Sequence, residues 1–147
     1  IIGRLVGSEM CIRDRPWTGD WQYTSIDIAS DTCSNLIDML EFGSGFEVDR
    51  SGLPFTMTLD GSSAEASCLV GGDQFSCDPI GEVTTPQDSV TFNTTIDTRG
   101  MMYTTAEMEG VHELEVSCEG AGCSVLEVAR DVNFPCRFGV FYTAAVQ

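Results

Sequence analysis

Val90-Thr91-Phe92-Asn93-Thr94-Thr95-Ile96-Asp97 and Val111-His112-Glu113-Leu114-Glu115-Val116-Ser117-Cys118 decide the fold. In the first run Val90, Phe92, Thr94 and Ile96 alternate with polar residues. In the second, His112, Leu114, Val116 and Cys118 alternate with Glu113, Glu115 and Ser117. A period of two is the mark of a strand with one face in a core and one in water. Leu53, Phe55, Met57 and Leu59 repeat the pattern upstream, and Phe138, Val140 and Tyr142 repeat it downstream.

Working outward, short runs rich in Val, Ile, Phe, Tyr and Thr are punctuated by Gly, Asp, Ser and Pro, the signature of strands and turns. The expected strands cover 19–28, 45–49, 53–60, 64–70, 74–78, 88–97, 101–108, 111–118, 123–130 and 136–145. Turns are expected at Asp49–Gly52, Asp60–Ser63, Asp97–Gly100 and Glu109-Gly110. These loops are too short for parallel crossovers, so neighbours pair antiparallel. The spacing of Leu36, Ile37, Leu40 and Phe42 predicts one short helix behind Ser34 or Asn35, ending at Gly43 and able to plug one end. The fold class is all-β: an antiparallel up-and-down β-barrel of roughly eight to ten strands, disulfide-stapled. A meander folded into a sandwich is the rival.

Leu5 to Asp14 resemble the translation of a sequencing adapter. Residues 1–15 are therefore expected to be foreign to the domain, which leaves 16–147 as a single β-barrel domain. A leader or lipid anchor upstream is compatible with that expectation. Of seven cysteines, Cys11 falls in the adapter-like run, leaving Cys33, Cys68, Cys77, Cys118, Cys123 and Cys136. Cys118 and Cys123 flank a short loop, and a loop of Gly71 to Gln74 sets Cys68 opposite Cys77, within bridging distance. Cys33 and Cys136 then tie the start of the domain to its last strand. Disulfides point to an oxidising compartment: secreted, periplasmic or cell-surface. With no Cys-x-x-Cys and one histidine, zinc is a poor fit, and no metal or cofactor is expected.

The net charge is −16. Beyond residue 15 there is no lysine, and the arginines are Arg50, Arg99, Arg130 and Arg137. Such a surface repels nucleic acid and anionic lipid. No apolar run reaches the ~18 residues of a membrane-spanning helix.

Gly19-Asp20-Trp21 resembles the Gly-x-Trp that opens the first strand of lipocalins and related calycin barrels. The resemblance implies that Trp21 packs across the closed barrel end, beside Arg137, and that the barrel holds a small apolar ligand. The family's Thr-Asp-Tyr motif is absent. Trp21, Phe55, Met57, Phe92, Tyr103, Phe138 and Tyr142 are the expected pocket-lining residues.

No nucleophile elbow, phosphate loop or zinc signature occurs, so a binding protein is favoured over an enzyme. Register nonetheless assembles one polar cluster. A turn at Asp97–Gly100 puts Tyr103 and Glu107 on the inner face, and a turn at Glu109-Gly110 sets Glu107 opposite His112. The Cys118–Cys123 loop sets Leu114 opposite Glu127, diagonal to His112. Neighbouring carboxylates would raise the imidazole pKa unless burial outweighs them. A one-residue slip puts all three in solvent. Three functions follow: an apolar-ligand-binding barrel, a structural or surface-interaction module with a filled core, and a small barrel isomerase or cyclase using carboxylate and His proton transfer.

Overall fold

The computed structural model describes residues 16–39, 43–51, 54–62 and 64–147. The adapter-like residues 1–15, the helical positions Leu40 and Phe42 and the strand position Leu53 lie outside them.

Among the described residues, nine strands form one antiparallel sheet: β1 (Gly19–Ser30), β2 (Gly45–Asp49), β3 (Phe55–Leu59), β4 (Glu65–Gly71), β5 (Gln74–Cys77), β6 (Ile80–Gln87), β7 (Val90–Thr104), β8 (Glu107–Glu119) and β9 (Cys136–Val146). Chain neighbours pair from β1 to β5 and from β7 to β9, and β9 pairs back onto β1. The long strand β7 closes the ring by pairing twice along one edge. Its first half takes β6, from Ile80↔Ile96 to Gln87↔Val90. Its second half takes β5, through Ser76↔Arg99 to Gln74↔Met101. Eight strands thus make an up-and-down ring, with β6 attached outside the circuit.

Alternation fills the interior as expected. Phe46, Val48, Phe55, Met57, Cys68, Phe75, Phe92, Met108, Val116, Val140 and Tyr142 are buried in one cluster. A 3-10 helix, Ser34–Met39, and an α-helix, α1 (Cys123–Arg130), gather where β7 and β9 begin. Leu36, Leu126 and Val132 enter the core there. Arg130 Nη1 bridges the two helices, donating to Asp38 Oδ1 at 2.8 Å and to the Asn35 carbonyl at 3.2 Å. All three expected disulfides are present: Cys33–Cys136, Cys68–Cys77 and Cys118–Cys123. Cys68 lies directly opposite Cys77 in the β4–β5 pairing. Among the described residues no helix is long and apolar enough to cross a membrane.

Three expectations need correction. Neither Asp97–Gly100 nor Glu109-Gly110 is a turn; β7 and β8 run straight through both, and the chain reverses at Thr105-Ala106. The glycines serve close approach instead. Gly100 faces Gly110 across the pair, and a Cβ on Gly110 would come within 2.6 Å of the Tyr142 hydroxyl. Residues 123–130 form a helix, not a strand. Its β-branched Val125 and Val128 point to solvent, while Leu126 is buried, and Asp131 ends the helix in the left-handed region at φ 51°. Arg137 is exposed on the outer face, its Nε donating to Glu115 Oε2 at 2.9 Å. It lies near the start of β9, whereas Trp21 pairs with Val146 at the other end of that strand, so the two do not meet. Trp21 instead stacks on Phe46, and its Nε1 donates to the Trp17 carbonyl at 2.9 Å.

Candidate ligand cleft

The cleft is built by a local accident of small residues. Gly45 sits so close to β1 that a Cβ there would fall 1.8 Å from the Trp21 carbonyl oxygen. Gly43 likewise lies against Asp60, whose Cβ is 2.4 Å from the place a Gly43 side chain would occupy. The β2 approach and the turn after β3 can therefore close on each other. Ser44 Oγ donates to Asp60 Oδ2 at 3.1 Å, and the Asp60 amide donates to the Gly45 carbonyl at 3.1 Å. This fixes Asp60 across from β6, whose Glu82 and Thr84 form the opposite bank.

Between these banks lies a cleft of about 580 Å³, bordered by Met39, Ser44, Asp60, Glu82, Thr84 and Thr94. Behind it is a chamber of about 50 Å³, walled by Leu59, Ile96, Leu114, Tyr23 and His112. Gly43, Asp60, Glu82 and Leu114 border both spaces, which places the chamber directly inside the cleft. At roughly 10–15 Å³ for each water-sized group, the chamber takes about three to five of them.

At its base lies a buried hydrogen-bonded chain. His112 points inward from β8 and pairs in register with Thr98 on β7 and Val140 on β9. Its Nδ1 is 2.8 Å from Thr98 Oγ1, and its Nε2 is 3.0 Å from the Tyr23 hydroxyl. Tyr142 stacks on the imidazole, with ring centroids 4.5 Å apart. Both ring nitrogens are thus satisfied by neutral partners, one donating and one accepting. Burial pushes the imidazole pKa down to about 4, so the ring is neutral at pH 7. Burial, with the Asp60 charge adding to it, raises the Tyr23 phenol. A neutral imidazole this far from pH 7 is suited to holding hydrogen bonds rather than to moving protons.

The expected cluster does not form. Glu107 and His112 lie on one strand an odd number of residues apart, so they face opposite sides of the wall. Glu107 is exposed. Glu127 lies on α1, where Oε2 accepts the Phe134 amide at 3.2 Å. The cause is the missing turn at Asp97–Gly100: parity runs on through β7, so Met102 points inward and Tyr103 is 56% exposed. Tyr103 therefore leaves the expected lining. Trp21, Phe55, Met57, Phe92, Phe138 and Tyr142 are buried as expected, but they pack on one another in the shared core, and the chamber is walled by other residues. Tyr23, Asp60, Glu82 and Thr98 were missed. Tyr23 carried a usable signal, since it shares the strand face of Trp21 two residues before it. Among the described residues no group of three or more His, Cys, Asp or Glu could hold a metal ion. Comparison with family models, with curated proteins and with solved structures finds no match to this chain.

Proposed function

We propose that this protein is an extracytoplasmic binder of a small ligand, which it holds in the cleft between Asp60 and Glu82. The observation that carries the reading is the chamber behind that cleft, with Leu59, Ile96 and Leu114 on its walls, Asp60 and Glu82 where it meets the cleft, and the Tyr23–His112–Thr98 chain at its base. A ligand with a short apolar end would place it among Leu59, Ile96 and Leu114, against the Tyr23 hydroxyl. Its other end would lie among the carboxylates and hydroxyls of the mouth, which favour a neutral or cationic group over an anion. This revises the expectation of a wholly apolar ligand deep among the aromatics, because those rings already fill the centre. The up-and-down ring and the Gly19-x-Trp21 opening support a lipocalin-like reading at the level of architecture, and three disulfides support an oxidising compartment.

The test is native mass spectrometry of the protein purified from its own host, followed by Ile96→Trp to fill the chamber. A retained small molecule that is lost from the Ile96→Trp variant is the expected result. A folded protein that carries nothing, and shows no chemical shift change at Leu114 or Tyr23 against a fragment library, overturns the reading.

A further inference from the structure

We infer that the outer wall of the ring carries a second site, a groove that docks an extended basic peptide segment of a partner protein. It lies on the outer face of the wall, whereas the cleft opens to the interior. Register builds it. On the outer face one continuous row crosses six strands: Leu69, Ser76, Arg99, Val111, Phe141 and Asp27, each opposite the next. Two residues along, a second row contains Gln74, Met101, Glu109 and Thr143. Between them runs the inward row Phe75–Gly100–Gly110–Tyr142. The two glycines have no side chains to hold the wall out. The Phe75 and Tyr142 rings instead press against them from inside, each within 2.7 Å of where a Cβ would stand. The wall is drawn in along this row, and a groove of about 810 Å³ follows outside it.

Its chemistry selects the occupant. Leu69 and Phe141 are 68% and 53% exposed, and with Met101 and Val111 they give the groove an apolar floor, more than scattered surface residues supply. Its cation, Arg99, is already bound to Glu113, which leaves Asp27 and Glu109 as the charges facing a partner. Arg130 and Arg137 are bound to Asp38 and Glu115 elsewhere. At a net charge of −16, a second copy of this chain is repelled and a basic segment is attracted. Five inter-strand steps of ~4.8 Å make the groove about 24 Å long around the wall, the span of roughly seven extended residues. Apolar side chains of such a segment would rest on Leu69 and Phe141, with its basic ones at Asp27 and Glu109.

The experiment uses the full chain and a fluorescein-labelled heptapeptide of alternating leucine and lysine, read by anisotropy at 20 and 300 mM NaCl. Binding that weakens with salt, and that weakens at least tenfold in Leu69→Ser and Phe141→Ser, is expected; both positions are exposed, so circular dichroism should be unchanged. A glutamate-for-lysine peptide should not bind. Attraction to the acidic surface at large would leave affinity the same in the two serine variants, and that result overturns the site. So would equal binding of the acidic peptide, binding of a soluble neutral oligosaccharide in place of the peptide, or self-association in sedimentation that the serine variants abolish.

Discussion

His112 and Tyr142 lie ring to ring, yet their polar atoms fare differently. His112 has both nitrogens satisfied, whereas the Tyr142 hydroxyl is buried without a hydrogen-bond partner among the described residues. The imidazole pKa falls from 6.5 to about 4 on folding. The unfolded chain therefore binds a proton that the folded one refuses. The resulting stability is complete above pH 6.5, is lost as pH falls toward 4, and amounts to about 3 kcal/mol. Urea unfolding at pH 7.5 and pH 4.5 should show that loss in the wild type and less of it in His112→Gln, which cannot titrate. Identical pH dependence in the two proteins would show that the imidazole is not held neutral. For Tyr142 the expectation is reversed. Tyr142→Phe removes an unpaired polar group while keeping the ring, so it should be neutral or stabilising by up to ~1 kcal/mol. A clear loss in urea would mean that the hydroxyl has a partner after all. Neither pairing was readable in advance. Sequence pattern gave His112 its inward direction, but its partners Tyr23 and Thr98 are set by register across strands distant in the chain.

At the scale of elements, most strands were legible and the punctuation was not; β6 (Ile80–Gln87) was not expected, and the expected strand 101–108 straddles the reversal between β7 and β8. Alternation located β2, β4, β5 and the outer parts of β7 and β8 closely, because a half-buried strand writes its two faces directly into residue order. Gly100 and Gly110 read as turns because glycine serves two purposes with one composition: freedom at positive φ, and absence of a Cβ. Here it is the second, and the error propagated, since one false turn inverts the parity of everything after it and placed Tyr103 and Glu107 inside. The helix α1 was misread because Val125, Leu126 and Val128 look like a strand when counted by residue type; the single buried position, Leu126, is what a one-sided short helix needs. Glycine's role can be tested by pairs. Gly110→Ala would put a Cβ within 2.6–2.8 Å of Tyr142 and the Arg99 carbonyl, and should cost ~1–3 kcal/mol by overpacking. Gly81→Ala on β6 meets nothing within 4 Å and should be neutral or slightly stabilising. If denaturant midpoints rank these the other way, the pinched wall between β7 and β8 is misplaced, and the outer groove with it.

For the molecule as a whole, the question is what keeps an open-ended, highly acidic ring closed. Of the strand pairs that make the circuit, the β5–β7 closure rests on three residue pairs, so the closing sheet alone is a weak fastening. The disulfides divide the remaining task unequally. Cys118–Cys123 spans 5 residues and Cys68–Cys77 spans 9, so each constrains a local hairpin or corner. Cys33–Cys136 spans 103 and joins the segment after β1 to the start of β9, beneath the helical plug. In a chain-entropy account the long bridge removes the most freedom from the unfolded state, on the order of 4–5 kcal/mol against about 2 for the shortest. Both long-bridge cysteines are also fully buried, so alanine there leaves a small void as well as a free chain. The Cys33→Ala/Cys136→Ala pair should therefore lower Tm by on the order of 10 °C more than the Cys118→Ala/Cys123→Ala pair. Calorimetry under non-reducing conditions measures this directly. Equal losses from the two pairs would show that closure is held by core packing, and that the bridge from Cys33 to Cys136 adds little to the stability of the ring.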